Sequence, residues 1–173
     1  QHRVGVSGLF GYRYYVDMQH NHAVQASDHY MTIVRNIATS QNEEESVDLN
    51  NKLVNEFSDT PYAAMSSMVL ARTEYMKGNR EAAAAQLELA VKHATDDIIR
   101  HQASFQLAGI YIETGQHDAA EKLLQAEHDS AYEAKYAELR GDLYAARGDA
   151  DKARAEYDRA IELQGQAVSR WLR

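Results

Sequence analysis

Apolar positions recur with helical spacing along most of the chain. Between positions 16 and 38 one stripe, which includes Tyr30 and Ile33, predicts an amphipathic helix over Val16–Ala38. We expect this helix to continue the N-terminal segment as one long helix. A polar connector at 40–45 separates it from a second predicted helix, Asp48–Phe57. Pro61 then marks an early position of a third helix, where its missing N–H costs little.

From position 62 onward the chain repeats itself. The clearest copy has the spacings of a tetratricopeptide unit, with Gly141, Tyr144, Gly148, Ala153, Tyr157 and Ala160. Two earlier copies contain Leu107, Ala108, Tyr111, Gly115, Ala120 and Leu124, then Leu70, Ala71, Gly78, Ala83, Leu87 and Ala90. The aligned glycines predict inter-helix turns, and Gly141 is expected to let two helices approach, with Tyr144 filling the gap beside it. The sequence predicts an all-α, tetratricopeptide-like helical-hairpin solenoid of about three repeats plus a degenerate N-terminal helix pair.

The first helix of each pair in such an array lines a concave surface that is suited to binding. The inward positions of the frame give the predicted partner-binding groove: Met65, Met68, Arg72, Tyr75, Met76, Phe105 and Ile112, with Gly109 and Glu113 on the same face. Methionine is flexible and polarisable, so it suits contact with varied apolar segments. A methionine stripe is also typical of a core. Two alternatives therefore stand: an open groove, or a groove covered by the Val16–Ala38 helix.

The N-terminal segment combines small and aromatic residues. It contains Gly5, Gly8 and Gly11, followed by Tyr12, Tyr14 and Tyr15. Small residues on one face before amphipathic aromatic residues are typical of the interfacial end of a membrane helix. We expect residues 1–15 to be the outer end of a truncated N-terminal transmembrane anchor, and residues 16–173 to form the repeat domain. The alternatives are an apolar segment that docks on its own domain, and a small-residue face that mediates self-association.

Composition removes several classes of function. The chain has 173 residues with no Cys, which excludes disulfide scaffolds, thiol nucleophiles and Cys-ligated metals, and its net charge of -8 argues against nucleic-acid binding. His20, His22 and His29 have no carboxylate at a convincing ligand spacing, and His101 and His128 are expected to be ordinary surface residues. No phosphate-binding loop or nucleophile elbow is present. We expect no catalytic residues, no metal and no cofactor, and hence a protein that is not an enzyme.

Several short segments resemble one bacterial family. They are Glu56–Ala63, Leu70–Arg72, Glu138–Asp142 and Lys152–Arg154, and with the tyrosine cluster they are similar to the YfgM family over essentially the whole chain. The resemblance implies a single-pass protein of the bacterial inner membrane, with its tetratricopeptide-like domain in the periplasm. It also implies an ancillary subunit of the SecYEG translocon that works with a PpiD-type membrane-anchored chaperone on newly translocated, unfolded client chains.

Overall fold

The computed structural model describes the backbone of residues 4–173 and the side chains from Ser7 onward. Within that range the chain forms α1 (Val4–Ala38), α2 (Glu43–Glu56), α3 (Pro61–Met76), α4 (Arg80–His93), α5 (Asp97–Glu113), α6 (His117–Leu124), α7 (Glu133–Ala146) and α8 (Ala150–Trp171). A 3-10 turn at Ser130–Tyr132 precedes α7. The all-α class is confirmed, and α1 is the single long helix that the apolar pattern predicts.

The eight helices pair into four hairpins that stack in chain order. Within hairpins α3 packs on α4 and α7 on α8, while α4 packs on α5 of the next hairpin. Successive junctions have their own apolar clusters, centred on Ile33 with Leu53, on Leu87 with Leu107, and on Leu124 with Leu143. Because each cluster joins neighbouring hairpins, the fold is the helical-hairpin solenoid that the repeat frame predicts.

The three aligned glycines end the first helices of the last three hairpins. Gly78, Gly115 and Gly148 have φ values of 89°, 76° and 81°, the left-handed region that glycine adopts without steric cost. Each closes a Schellman motif; after α3, for example, the Gly78 N–H donates to Tyr75 O and the Asn79 N–H to Glu74 O. These bonds satisfy the last carbonyls of the helix, so the predicted turns are confirmed.

The gap beside Gly141 is filled by a residue other than the one expected. A Cβ at Gly141 would lie 2.5 Å from Cε1 of Tyr157, so the Tyr157 ring of α8 lies directly against the glycine backbone of α7. The Tyr157 hydroxyl also donates to Asp142 Oδ1 at 2.7 Å. The expectation that Tyr144 fills this space is therefore wrong. Gly141 does allow the close approach of the two helices, as predicted.

Two features of the first two hairpins were not predicted from the sequence: the start of α2 and a buried polar contact between α2 and α3. Helix α2 begins at Glu43, not at Asp48, because three glutamates in its first turn face the positive end of the helix dipole. Asn50 of α2 is fully buried and its Nδ2 donates to the hydroxyls of Ser66 and Ser67 in α3 at 2.8 and 3.1 Å. These buried hydrogen bonds fix the register of the two helices.

Two helices extend beyond the hairpin stack. The N-terminal half of α1 is exposed from Ser7 to Asn21, and from Ser7 onward the first fully buried side chain is Ala26. At the other end, α8 is longer than α7, and its last residue Trp171 and the following Leu172 are exposed. Within the part of the chain that the structure describes, no helix combines the length and the apolar character that crossing a membrane requires.

Candidate functional site

A cavity of about 420 Å³ opens between α3, α4 and α5. Its lining residues are Ala71, Arg72, Tyr75, Leu87, Gln106, Gly109, Ile110 and Glu113. Helices α3 and α5 are the first helices of consecutive hairpins, so this cavity lies on the face where the repeat frame places a groove. Three of its lining side chains, Ala71, Leu87 and Ile110, belong to the buried cluster of this junction. The floor of the cavity is therefore apolar.

Tyr75 and Glu113 of the rim are linked to each other and to Arg80 by polar contacts. The Glu113 carboxylate accepts hydrogen bonds from Arg80 Nε at 2.8 Å and from the Tyr75 hydroxyl at 3.1 Å. The Arg80 guanidinium lies 3.8 Å from the centroid of the Tyr75 ring, a cation–π distance. The hydrogen bond from Arg80, with a smaller contribution from Tyr75, holds the pKa of Glu113 below its usual value. The negative charge of Glu113 is thus already matched within the protein.

Arg72 adds to the rim a cation without a matching anion. Arg72 of α3 lines the cavity and is exposed. Among residues 7–173, no carboxylate or carbonyl oxygen accepts a hydrogen bond from its guanidinium, in contrast to Arg80. A guanidinium presents several N–H donors in a fixed plane that matches a carboxylate. Arg72 is therefore available to an acidic group from outside the chain.

Gly109 forms part of the cavity wall although its helix does not need a glycine there. It lies in the interior of α5, and apart from its two chain neighbours and its own helix backbone no described atom comes within 4 Å of where its Cβ would be. Gly141 is the opposite case, because the Tyr157 ring occupies that space. A glycine in a helix interior costs about 0.5–1 kcal/mol relative to Ala. At Gly109 the missing side chain leaves the helix backbone open to the cavity.

The predicted groove residues divide into three groups. Arg72 and Tyr75 line the cavity, together with Gly109 and Glu113 of the same frame. Met68, Phe105 and Ile112 are half-buried and pack against the apolar clusters of the adjoining junctions. Met65 is half-buried, and Met76 at the end of α3 is 77% exposed. Gln106 also lines the cavity, but the repeat frame did not select it. It lies one helical turn before Gly109 and Ile110, so a wider set of positions on that face of α5 would have included it.

The first helix packs on the other side of α3. The cluster that contains Ile33 of α1 also contains Ala63 and Leu70 of α3, with Tyr62 and Val69 at its edge. None of the cavity-lining residues belongs to α1. In the described part of the chain, the Val16–Ala38 helix therefore leaves the cavity uncovered.

A second polar cluster lies between α5, the loop before α7, and α7 itself. His101 is 8% exposed, and its Nδ1 lies 2.7 Å from the Tyr136 hydroxyl. The His128 ring stacks on Tyr136 with centroids 3.8 Å apart, and its nitrogens face Glu133 and the Ala126 carbonyl. Burial lowers the pKa of His101. The expectation that these two histidines are ordinary surface residues is wrong, because the loop folds them against Tyr136.

Glu133 is the centre of the charges in this cluster. Its carboxylate pairs with Arg140 at 2.6 Å, with Arg159 of α8 at 3.1 Å and with His128. Burial would raise the pKa of Glu133, but the hydrogen bonds from Arg140, His128 and Arg159 outweigh it and lower the pKa to about 2. The cluster joins the last hairpin to the loop before it.

The histidines of α1 also make contacts that the sequence did not reveal. His22 stacks on Phe57 with centroids 4.5 Å apart, and its Nε2 lies 2.8 Å from Asp59 Oδ1. His29 meets the same Phe57 ring edge-on at 5.6 Å. The hydrogen bond to His22 lowers the pKa of Asp59. These contacts join α1 to the α2–α3 loop, and among the described residues no group of three potential ligands is close enough to hold a metal ion.

The N-terminal residues that were assigned to a membrane anchor are exposed where they are described. Tyr12, Tyr14 and Tyr15 have 65%, 72% and 55% of their surfaces exposed. At Gly8 and Gly11, no described atom lies within 4 Å of the place that a Cβ would occupy, apart from the chain neighbours and the backbone of α1 itself. Gly5 lies outside the residues whose side-chain surroundings are described. This part of α1 does not dock on the repeat domain.

Comparison with known proteins points to one family. A family model described as a tetratricopeptide repeat-like domain matches residues 2–173. A protein of Escherichia coli named ancillary SecYEG translocon subunit is 30% identical over 159 residues, 92% of this chain and 76% of the relative. A protein of the same name from Haemophilus influenzae is 28% identical over 164 residues, 94% of this chain and 79% of the relative. No solved structure matches.

Proposed function

Since the chain belongs to the tetratricopeptide repeat-like family of ancillary SecYEG translocon subunits, we propose that it serves the translocon as a non-enzymatic scaffold that binds other proteins. The observation that carries the proposal is the uncovered cavity between α3 and α5, with its apolar floor and the unmatched charge of Arg72. Apolar concave sites with a few polar groups are suited to binding. No step of chemistry is needed for this role.

The finer parts of the role concern the membrane and the partners. We propose that residues 1–15 are the outer end of an N-terminal anchor in the bacterial inner membrane and that residues 16–173 form the periplasmic domain. The exposed tyrosines of α1 support this, because aromatic residues are enriched where a helix meets the membrane interface. The proposed partners are the SecYEG translocon, a PpiD-type membrane-anchored chaperone and newly translocated, unfolded client chains.

Co-purification tests this proposal. The full-length protein, tagged at its C-terminus, is isolated from membranes in a mild detergent, and bound proteins are identified by mass spectrometry. We expect SecY and a membrane-anchored chaperone in the eluate. A tagged inner-membrane protein of unrelated fold serves as the control. If SecY is no more abundant than in that control, the translocon assignment is wrong.

A structural oligomerisation module at the membrane surface, with no client binding, is the second candidate. The exposure of Gly8 and Gly11 supports it, since small residues let helix backbones approach closely. Mass measurement of this chain with and without residues 1–15 separates the two roles. A monomer in both forms excludes self-association, and a dimer that depends on residues 1–15 favours it.

A further inference from the structure

We propose that the cavity between α3 and α5 is a site for a polypeptide segment that carries an acidic side chain next to an aliphatic one. The carboxylate pairs with Arg72, and the aliphatic side chain enters the cavity across Gly109. The inference rests on the binding-scaffold part of the proposed function and deepens it. It does not depend on which membrane complex the protein joins.

The first argument is the glycine. Gly109 lowers the helix propensity of α5, yet no described neighbour requires its missing Cβ. Glycine in such a position allows another chain to approach the backbone closely. The cavity in front of it has an apolar floor of Ala71, Leu87 and Ile110. Its volume of about 420 Å³ is large enough for aliphatic side chains.

The second argument is charge. On the rim, Glu113 forms an ion pair with Arg80 and accepts a hydrogen bond from Tyr75, whereas no carboxylate among residues 7–173 forms an ion pair or a hydrogen bond with Arg72. The local electrostatics of the cavity therefore favour a carboxylate. The net charge of the whole chain is -8, but repulsion between distant exposed charges is largely screened at physiological ionic strength. A segment with a lysine in place of the acid would meet Arg72 as a like charge.

Two short capped peptides serve as probes. One contains the sequence Leu-Glu-Leu between Gly-Ser flanks, and the other contains Leu-Gln-Leu in the same flanks. Each is titrated into this chain labelled with 15N, and binding is followed by the amide resonances of Gly109 and its neighbours. We expect the Glu peptide to shift these resonances and to bind about three- to tenfold more tightly than the Gln peptide, because the charge-assisted pair lies at a partly exposed rim.

Matched variants identify the groups responsible. Arg72→Gln should remove the preference for the Glu peptide, while Arg154→Gln, which removes another exposed arginine at a separate cavity, should leave it intact. Gly109→Ala should weaken both peptides although it raises Tm by about 1–4 °C. Gly165→Ala is its control, because that Cβ position in α8 is equally open. It should raise Tm without changing either affinity.

Three results would overturn the inference. Equal affinity for the two peptides would show that Arg72 does not pair with the acidic side chain. The same conclusion would follow if Arg72→Gln and Arg154→Gln reduced the preference for the Glu peptide equally. The absence of shifts at Gly109 with either peptide, while SecY still co-purifies, would disprove the site and leave the scaffold role in place. If the peptides bind as expected but SecY does not co-purify with the protein, the translocon assignment is wrong and this inference stands.

Discussion

The contact between Gly141 and Tyr157 makes a quantitative prediction about the last hairpin. Replacing Gly141 by Ala places a methyl group 2.5 Å from Cε1 and 2.6 Å from Cδ1 of the Tyr157 ring. Ordinary carbon contacts lie near 3.5–4.0 Å, so the ring or the α8 backbone must shift by about 1 Å. Overpacking of this kind costs about 1–3 kcal/mol, while the better helix propensity of Ala returns about 0.5–1 kcal/mol.

Gly109→Ala is the matched control, because it gains the same helix propensity and its methyl group meets no described atom beyond its chain neighbours and its own helix backbone. We therefore expect the free energies of unfolding of the two variants to differ by about 1–3 kcal/mol, with Gly141→Ala the less stable. Urea denaturation followed by circular dichroism at 222 nm measures both. A double-mutant cycle with Tyr157→Ala isolates the contact.

In the Tyr157→Ala background the tyrosine ring no longer occupies the space beside position 141, so the change in the free energy of unfolding caused by Gly141→Ala should reverse its sign. Gly141→Ala should then stabilise the protein by about 0.5–1 kcal/mol, the same gain that we expect from Gly109→Ala. If Gly141→Ala destabilises the protein equally with and without the Tyr157 ring, the close approach is not the cause. Stabilisation by Gly141→Ala in the wild-type background would refute the close contact of the Tyr157 ring with Gly141.

Two further predictions concern the core and the charge cluster. Met68 packs against the apolar clusters around α4 and α5, so Met68→Asp should lower Tm by several degrees because it buries a charge. Met76 is largely exposed, so Met76→Asp should change Tm little. Equal Tm values for the two variants by differential scanning fluorimetry would show that Met68 is not a core residue. The folded pKa of Glu133 is about 2 against an ordinary 4.5, so its ion pairs stabilise the protein above the unfolded pKa, and that stabilisation is lost as the pH falls from about 5 towards 2. Glu133→Gln should cost at most about 3 kcal/mol at pH 7 and progressively less in urea titrations at pH 4 and pH 3; a cost that does not change with pH would contradict the ionised network.

The sequence predicted the scaffold well because its signals are local. The glycines at 78, 115 and 148 need only their own helix ends to adopt positive φ, and the apolar stripe of α1 needs only helical periodicity. The alanines of the repeat frame are buried as expected, with Ala71, Ala108 and Ala153 at 2%, 0% and 4% exposure. Such features depend on neighbouring positions along the chain, which the sequence displays directly.

What the sequence could not predict depends on contacts between distant helices. Met68 and Arg72 fall on one stripe of α3, yet Met68 packs into a core junction and Arg72 lines the cavity. Periodicity identifies which residues share a face of a helix, but not which parts of the neighbouring helices each of these residues contacts. The burial of His101 against Tyr136 joins positions 35 residues apart. A histidine is expected at the surface when only its residue type is known. The stacking of the hairpins is what buries His101.

The central claim is that the concave face of the solenoid binds proteins at the translocon. Site-specific photocrosslinking in living cells tests it most directly, with the photoreactive residue benzoylphenylalanine at Gln102 or at Ala85. Gln102 is exposed on α5, one turn from the cavity residue Gln106, whereas Ala85 is exposed on α4 about 200° around the helix from the cavity residue Leu87. We expect adducts with translocon components, their chaperone or translocating chains from position 102 and few from position 85. Adducts from position 85 alone, or from neither position while SecY co-purifies, would contradict binding through the concave face.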